Sequence, residues 1–224
     1  MGEDKRGRNG HVSGNNGNGT PVEDENGPDS DAPADADEDA TQEAGMPAPV
    51  VDLAAACVRF VTQRYRVPLD FTPDTLSLVD QYVRDARLEL KEKPETLALV
   101  QGAVGAYLGE VIRLAHGGVW RAEGEESSWR VLMTRVFLSF NPIGMAREAL
   151  LLEEAEGWGA HLEVDAAERE VVDRRLSALP ETDLAEYYLP TTRFDVVQIA
   201  ADALRERMRS SGLGDVKFDQ GDYK

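Results

Sequence analysis

From Pro49 onward, apolar side chains recur every three or four residues, the period of a helix with one buried face. The first run is Leu53, Cys57, Phe60, Val61 and Tyr65, with Asp52 as its expected N-cap and Pro68 as its stop. The segment FTPDTL then signals a second start: Thr72 as N-cap, Pro73 at the first helical position and Asp74 at the positive end of the dipole. The stripe Leu76, Val79, Val83 and Ala86, with Tyr82 beside it, predicts the buried face of this helix, and LELKEK frays its end. Pro94 opens a third helix that runs to about His116 and stops at Gly117-Gly118.

After the glycine pair the period changes from helical to alternating. VWRAEG and SSWRVLMTR flank Gly124-Glu125-Glu126, which reads as a hairpin loop. Val136, Leu138 and Phe140 alternate with Phe137 and Ser139, as in a third strand. The pattern predicts a small antiparallel sheet across 118–140, with Trp120 and Trp129 on one face. Asn141-Pro142 returns the chain to a helix, MAREALLLEEAEG, ending at Gly157. Asp165 and Glu168 form a D-x-x-E capping box for a helix that stops before Pro180. TDLAEYYL is a short turn. Thr192 with Asp195 is the expected cap of a last helix, whose stripe is Val196, Val197, Ala200, Ala203, Leu204 and Met208. Gly212 ends it, and 213–224 reads as a frayed tail. The predicted fold class is therefore α+β, one mostly helical domain over 49–212 with a small antiparallel sheet packed against helices.

Residues 1–48 break this patterning. They are Gly, Asn, Asp, Glu, Pro and Ala with almost no large apolar side chain, so they are expected to stay disordered. Three basic side chains stand against twelve acidic ones in this arm. The remaining 21 basic and 30 acidic groups leave the rest of the chain equally acidic, and the formal net charge is -18. Such a surface repels phosphate backbones and anionic lipid, so nucleic acid and membrane partners are disfavoured and a basic protein partner is favoured. The arm reads as a spacer or as an acidic recognition element. The N-terminus has no apolar core of a signal peptide, and Arg6 spoils a myristoylation match at Gly2. No apolar run reaches about 18 residues, so no membrane span is expected. These features, with arginine far above lysine, suggest a bacterial cytoplasmic protein.

Candidate chemistry is sparse. The third helix carries glycines where each costs about 1 kcal/mol against alanine. Gly102, Ala106 and Gly109 share a face with Gly105 adjacent, which predicts a close helix contact; the setting is not that of a phosphate loop. Glu110 lies in the apolar run YLGEVIRL and needs a partner; Arg113 and Tyr107, three residues away on either side, are the expected ones. The alternative places Glu110 in a cleft with His116 and Trp120 as a general acid/base. His11, His116 and His161 have no ligand spacing for a metal, and one cysteine excludes a disulfide within the chain. Cys57 reads as a buried hydrophobe. Tyr187-Tyr188-Leu189-Pro190 covers the core or offers an aromatic patch, and EEAE and RERMR read as solvated helix faces. No catalytic, metal or cofactor motif is present, so none of these roles is assigned.

Gly105, Tyr107, Gly109, Glu110, Gly118, Trp120, Asn141 and Pro142 form a wider pattern, GAYLGEV followed by GGVW and NPI. In this the chain resembles a class of uncharacterised bacterial domains of the form GaYlGEvl…gGxW…NPf, over roughly residues 70–155. Ile143 stands where that pattern has an aromatic residue. The resemblance implies a small intracellular module and no particular activity. The expected function is a non-enzymatic protein–protein interaction module, adaptor or immunity-type, binding a basic partner. Two alternatives are a small enzyme or ligand-binding protein with a cleft near Glu110, His116 and Trp120, and an acidic mimic of nucleic acid.

Overall fold

A computed structural model describes residues 45–223; the acidic arm up to residue 44 and Lys224 lie outside the described residues. The fold is α+β, as the pattern predicts. Helix α1 spans Ala48–Tyr65, α2 Leu76–Glu89 and α3 Leu97–His116, the last two entered through single 3-10 turns at Pro73–Thr75 and Pro94–Thr96. Strands β1 Gly118–Arg121, β2 Arg130–Met133 and β3 Leu138–Phe140 follow. Then come α4 Pro142–Leu151, β4 Glu163–Val164, α5 Arg169–Leu176, the single turn α6 Leu184–Tyr187, and α7 Pro190–Ser210.

Helix α3 is the centre. Residues Val100 to Ile112 are all buried, with α1 and α4 packed on it and α7 nearby. By length and composition Pro94–His116 is apolar enough to cross a membrane, contrary to the expectation above; 72% of its most apolar window is covered by the rest of the protein, as in the core helix of a fold. The sheet has the order β1-β2-β3-β4, antiparallel throughout, and Trp120 pairs with Val131, Val131 with Phe140, and Leu138 with Val164. β4 extends the sheet beyond the predicted 118–140; two residues long, it carries too little alternation to announce itself. The loop from β1 to β2 contains a 3-10 turn, Glu126–Ser128, and the Trp129 indole donates to the Gly124 carbonyl at 3.1 Å.

Several predicted ends move. α1 begins at Ala48 behind Pro47, leaving Asp52 a turn inside the helix and exposed rather than capping it. Thr72 makes no cap; Asp70 instead accepts from the Thr72 backbone N–H at 3.0 Å and from both the Thr72 and Thr75 hydroxyls. α4 stops at Leu151, not Gly157, because Leu152 turns left-handed (φ 59°) and the buried Glu148 carboxylate takes the Ala155 N–H at 3.3 Å, folding the chain back. Asp165 caps a turn through the Ala167 N–H (2.8 Å), and α5 starts only at Arg169. α7 starts at Pro190, ahead of the expected Thr192 and Asp195; the Thr191 N–H is accepted by Asp80 of α2 at 3.0 Å. A cap supplied by another helix has no local sequence signature.

The largest correction concerns 213–223, the described part of the expected 213–224 tail. This segment does not fray: it returns to the sheet. The Phe218 N–H donates to the Thr134 carbonyl at 2.9 Å. Tyr223 is buried, its ring stacks on Phe137 at 4.5 Å, and its hydroxyl meets the carbonyls of Met133, Val136 and Leu138 and accepts the Leu138 N–H.

Candidate functional site

The pattern residues of α3 and the following strands meet one another. At Gly105 an added Cβ would lie 2.5 Å from the Ile143 Cα and 2.8 Å from the Pro142 carbonyl, so the start of α4 rests directly on the helix backbone. At Gly109 it would run into the Trp120 indole and the Pro142 ring. Gly118 similarly lets β1 close on β2, with the Leu132 carbonyl 3.1 Å from where a Cβ would stand. Close approach thus accounts for Gly105 and Gly109, whereas Gly102 of the predicted face meets the Leu53 side chain of α1, its Cδ2 3.0 Å from where a Cβ would stand.

Glu110 is fully buried and both its oxygens are occupied. Arg113 donates Nη2 to Oε1 at 2.6 Å and Nε to Oε2 at 2.8 Å, a bidentate pair, and the Trp120 indole N–H reaches Oε2 at 3.2 Å. Tyr107, the other expected partner, points elsewhere. Its hydroxyl accepts the Phe71 N–H at 3.0 Å and bonds Thr75 at 2.7 Å, holding Phe71 in a left-handed conformation (φ 59°); burial pushes its phenol up to about 12. His116 also leaves the cluster. It is buried against Phe194 of α7, 5.3 Å between ring centres. Its Nε2 has no hydrogen-bond partner, and burial, then the cations Arg205 and Arg135, hold its pKa below the usual value. Glu110 and Trp120 therefore come together without His116, in a filled interior.

Asn141 is the most connected of the predicted residues. Fully buried, it accepts the Ile143 and Gly144 N–H groups at 2.9 and 3.1 Å as the α4 cap. Its amide donates to the Glu126 and Ser127 carbonyls at 2.9 and 3.0 Å, tying the hairpin loop to the helix start. Pro142 follows at the first helical position. Gly105, Gly109, Glu110, Trp120, Asn141 and Pro142 are thus one structural knot.

A second buried pair lies where no motif marked it. Glu148 of α4 and Arg193 of α7 pair through Oε2 and Nη2, both nearly inaccessible. The Arg193 guanidinium sits 4.5 Å from the Tyr187 ring centre and 5.0 Å from that of Tyr188. The tyrosines therefore cover this pair, the core-covering alternative for that cluster. The available signal was Glu148 amid the apolar positions of MAREALL, the same signal that singled out Glu110. Cys57 is buried, and burial pushes its thiol pKa up, so it is inert. His161 bonds Glu154 at the surface, and no group of three metal-ligating side chains occurs among the described residues.

Open space lies instead around the C-terminal half of α7. One groove of about 430 Å³ runs between the 165–168 turn ahead of α5, α7 and the returning C-terminal segment. Phe137, Leu204, Met208, Leu213, Val216 and Phe218 form its apolar lining, and Asp165, Glu168 and Arg207 its rim. Leu213 and Val216 are 51% and 40% exposed. Across Met208 a second cavity of about 430 Å³ is lined by Arg135, Arg205, Arg209 and Lys217 with Asp215. RERMR is thus not simply a solvated face but the wall between two cavities. Sequence reasoning missed both, because each needs 213–223 in place. Comparison with protein-family models, with curated proteins and with solved structures gives no match for this chain.

Proposed function

We propose that this chain is a non-enzymatic protein-interaction module of the bacterial cytoplasm, of adaptor or immunity type, that seats a segment of a basic partner protein. The carrying observation is the apolar groove between the 165–168 turn ahead of α5, α7 and the C-terminal segment, rimmed by Asp165, Glu168 and Arg207. Exposed Leu213 and Val216 offer an apolar anchor site, and Asp165 with the net charge of -18 favours lysine and arginine around that anchor, Glu168 being paired with Arg207 at 3.4 Å. The filled surroundings of Glu110, with both oxygens bonded, support a structural role for that carboxylate.

The test is affinity capture from a lysate of the source organism, with the full chain, the chain from Gly45 and a full-length Val216→Asp variant as baits. A protein retained by the first two and lost from the third supports the reading. For that protein, affinity measured between about 50 and 300 mM salt should fall as screening rises. A partner indifferent to Val216→Asp places recognition elsewhere, and a salt-insensitive complex removes the electrostatic part.

A further inference from the structure

The cavity on the other side of Met208 has the opposite character. Its lining brings four cations together in a protein of net charge -18: Arg205 and Arg209 one turn apart on α7, Arg135 from the turn between β2 and β3, and Lys217 from the C-terminal segment. The backbone bond from the Phe218 N–H to the Thr134 carbonyl, 2.9 Å, places their chain neighbours Lys217 and Arg135 side by side. Two carboxylates accompany them. Asp215 lines the cavity, and Asp202 holds Arg205 through Nη1 at 2.9 Å. Among the described residues Arg135, Arg209 and Lys217 have no ion-pair partner. The Arg205 Nη2 leans on the His116 carbonyl at 3.5 Å, and its Nε is buried without a hydrogen-bond partner.

Like charges one helical turn apart repel, and a docked tail that adds Lys217 beside Arg135 increases the repulsion. A compact multivalent anion reverses the sign of that interaction. Two arginine forks match phosphate oxygens, and lysine adds a point charge. A cavity of about 430 Å³ falls within the size range of small-molecule sites, larger than one phosphate needs. Met208 and Val216 supply an apolar wall beside the cations. We infer that this cavity binds a small molecule carrying a diphosphate group, with Arg135, Arg209 and Lys217 contacting the phosphates and Arg205 supporting them from the α7 wall. The site shares the Met208 and Val216 wall with the apolar groove but opens on its other side, and it does not depend on the interaction reading.

The test uses the full chain and inorganic pyrophosphate as probe, with calorimetric titration and thermal unfolding, against sodium chloride at equal ionic strength. Arg135→Gln/Lys217→Gln removes two exposed cations, and circular dichroism checks that the variant remains folded. Arg174→Gln, on α5 outside the cavity, is the control. Saturable pyrophosphate binding is expected, with a rise in melting temperature, weakened at least about tenfold in the double variant and unchanged in the control. Absence of saturable binding, or binding that the double variant leaves intact, overturns the assignment. Citrate binding as tightly as pyrophosphate overturns the choice of phosphate over carboxylate.

Discussion

Asn141 offers the sharpest test of the packing argument, since its four side-chain bonds join the start of α4 to the loop between β1 and β2. Asn141→Ala removes the α4 cap, about 1 kcal/mol. It also takes one of two donors from each of the Glu126 and Ser127 carbonyls, which keep the Trp129 N–H at 3.2 Å and Arg130 at 3.0 Å respectively, at about 1–1.5 kcal/mol apiece. The sum is about 3–4 kcal/mol, a large part of the usual stability of a domain, about 5–15 kcal/mol. With a urea slope of about 2 kcal/mol/M, the midpoint should fall by about 2 M. Asn141→Asp separates the two halves of the network. It keeps the acceptor for Ile143 and Gly144 but turns a carboxylate oxygen toward two carbonyl oxygens. Burial and those oxygens raise the new carboxyl's folded pKa above its unfolded value. Stability is then retained at low pH and lost as pH rises through that folded pKa. Urea unfolding followed by circular dichroism should show Asn141→Asp at least as weak as Asn141→Ala near neutrality, and recovering on acidification. An Asn141→Ala cost below about 1 kcal/mol would refute the accounting.

Other consequences can be measured the same way. Gly105→Ala gains about 1 kcal/mol of helix propensity but drives a methyl into the α4 backbone, for a net loss of about 1–2 kcal/mol; a stabilised variant would contradict the contact. Glu110→Gln removes the charge that holds Arg113 in a bidentate pair, and should cost about 1–3 kcal/mol in thermal or urea unfolding. Tyr223→Phe removes the hydroxyl that meets three carbonyls and the Leu138 N–H, an expected loss of about 1–3 kcal/mol, with faster hydrogen exchange at Leu138 as the local readout. His116 has a folded pKa below its ordinary 6.5, so the folded state holds fewer protons there. Its contribution is full above that value and is lost as pH falls from 6.5 toward the folded pKa, and His116→Gln should flatten the fall in stability over that window.

What the sequence settles by itself is what depends on neighbours along the chain. Helical spacing places the stripes Leu76–Val79–Val83–Ala86 and Val196–Val197–Ala200–Leu204 in the core, where they are buried. The change of period after Gly118 marks the sheet, Asn141-Pro142 marks the α4 start, and the glycines and Glu110 mark a tight, paired centre, because each rests on backbone geometry or burial cost that a few residues express. Tertiary structure alone decides the rest. Asp80 capping α7 from α2, the Glu148–Arg193 pair across 45 residues, and Tyr223 docked on β3 join groups far apart in sequence, and no local period encodes them. The apolar groove and the cationic cavity share that origin. Residues 213–223 carry no amphipathic repeat, and only when Tyr223 and Phe218 bind the sheet do Leu213, Val216 and Lys217 become walls. The chain's charge balance is legible in its composition, but the local reversal of that charge at Arg135, Arg205, Arg209 and Lys217 is a product of folding.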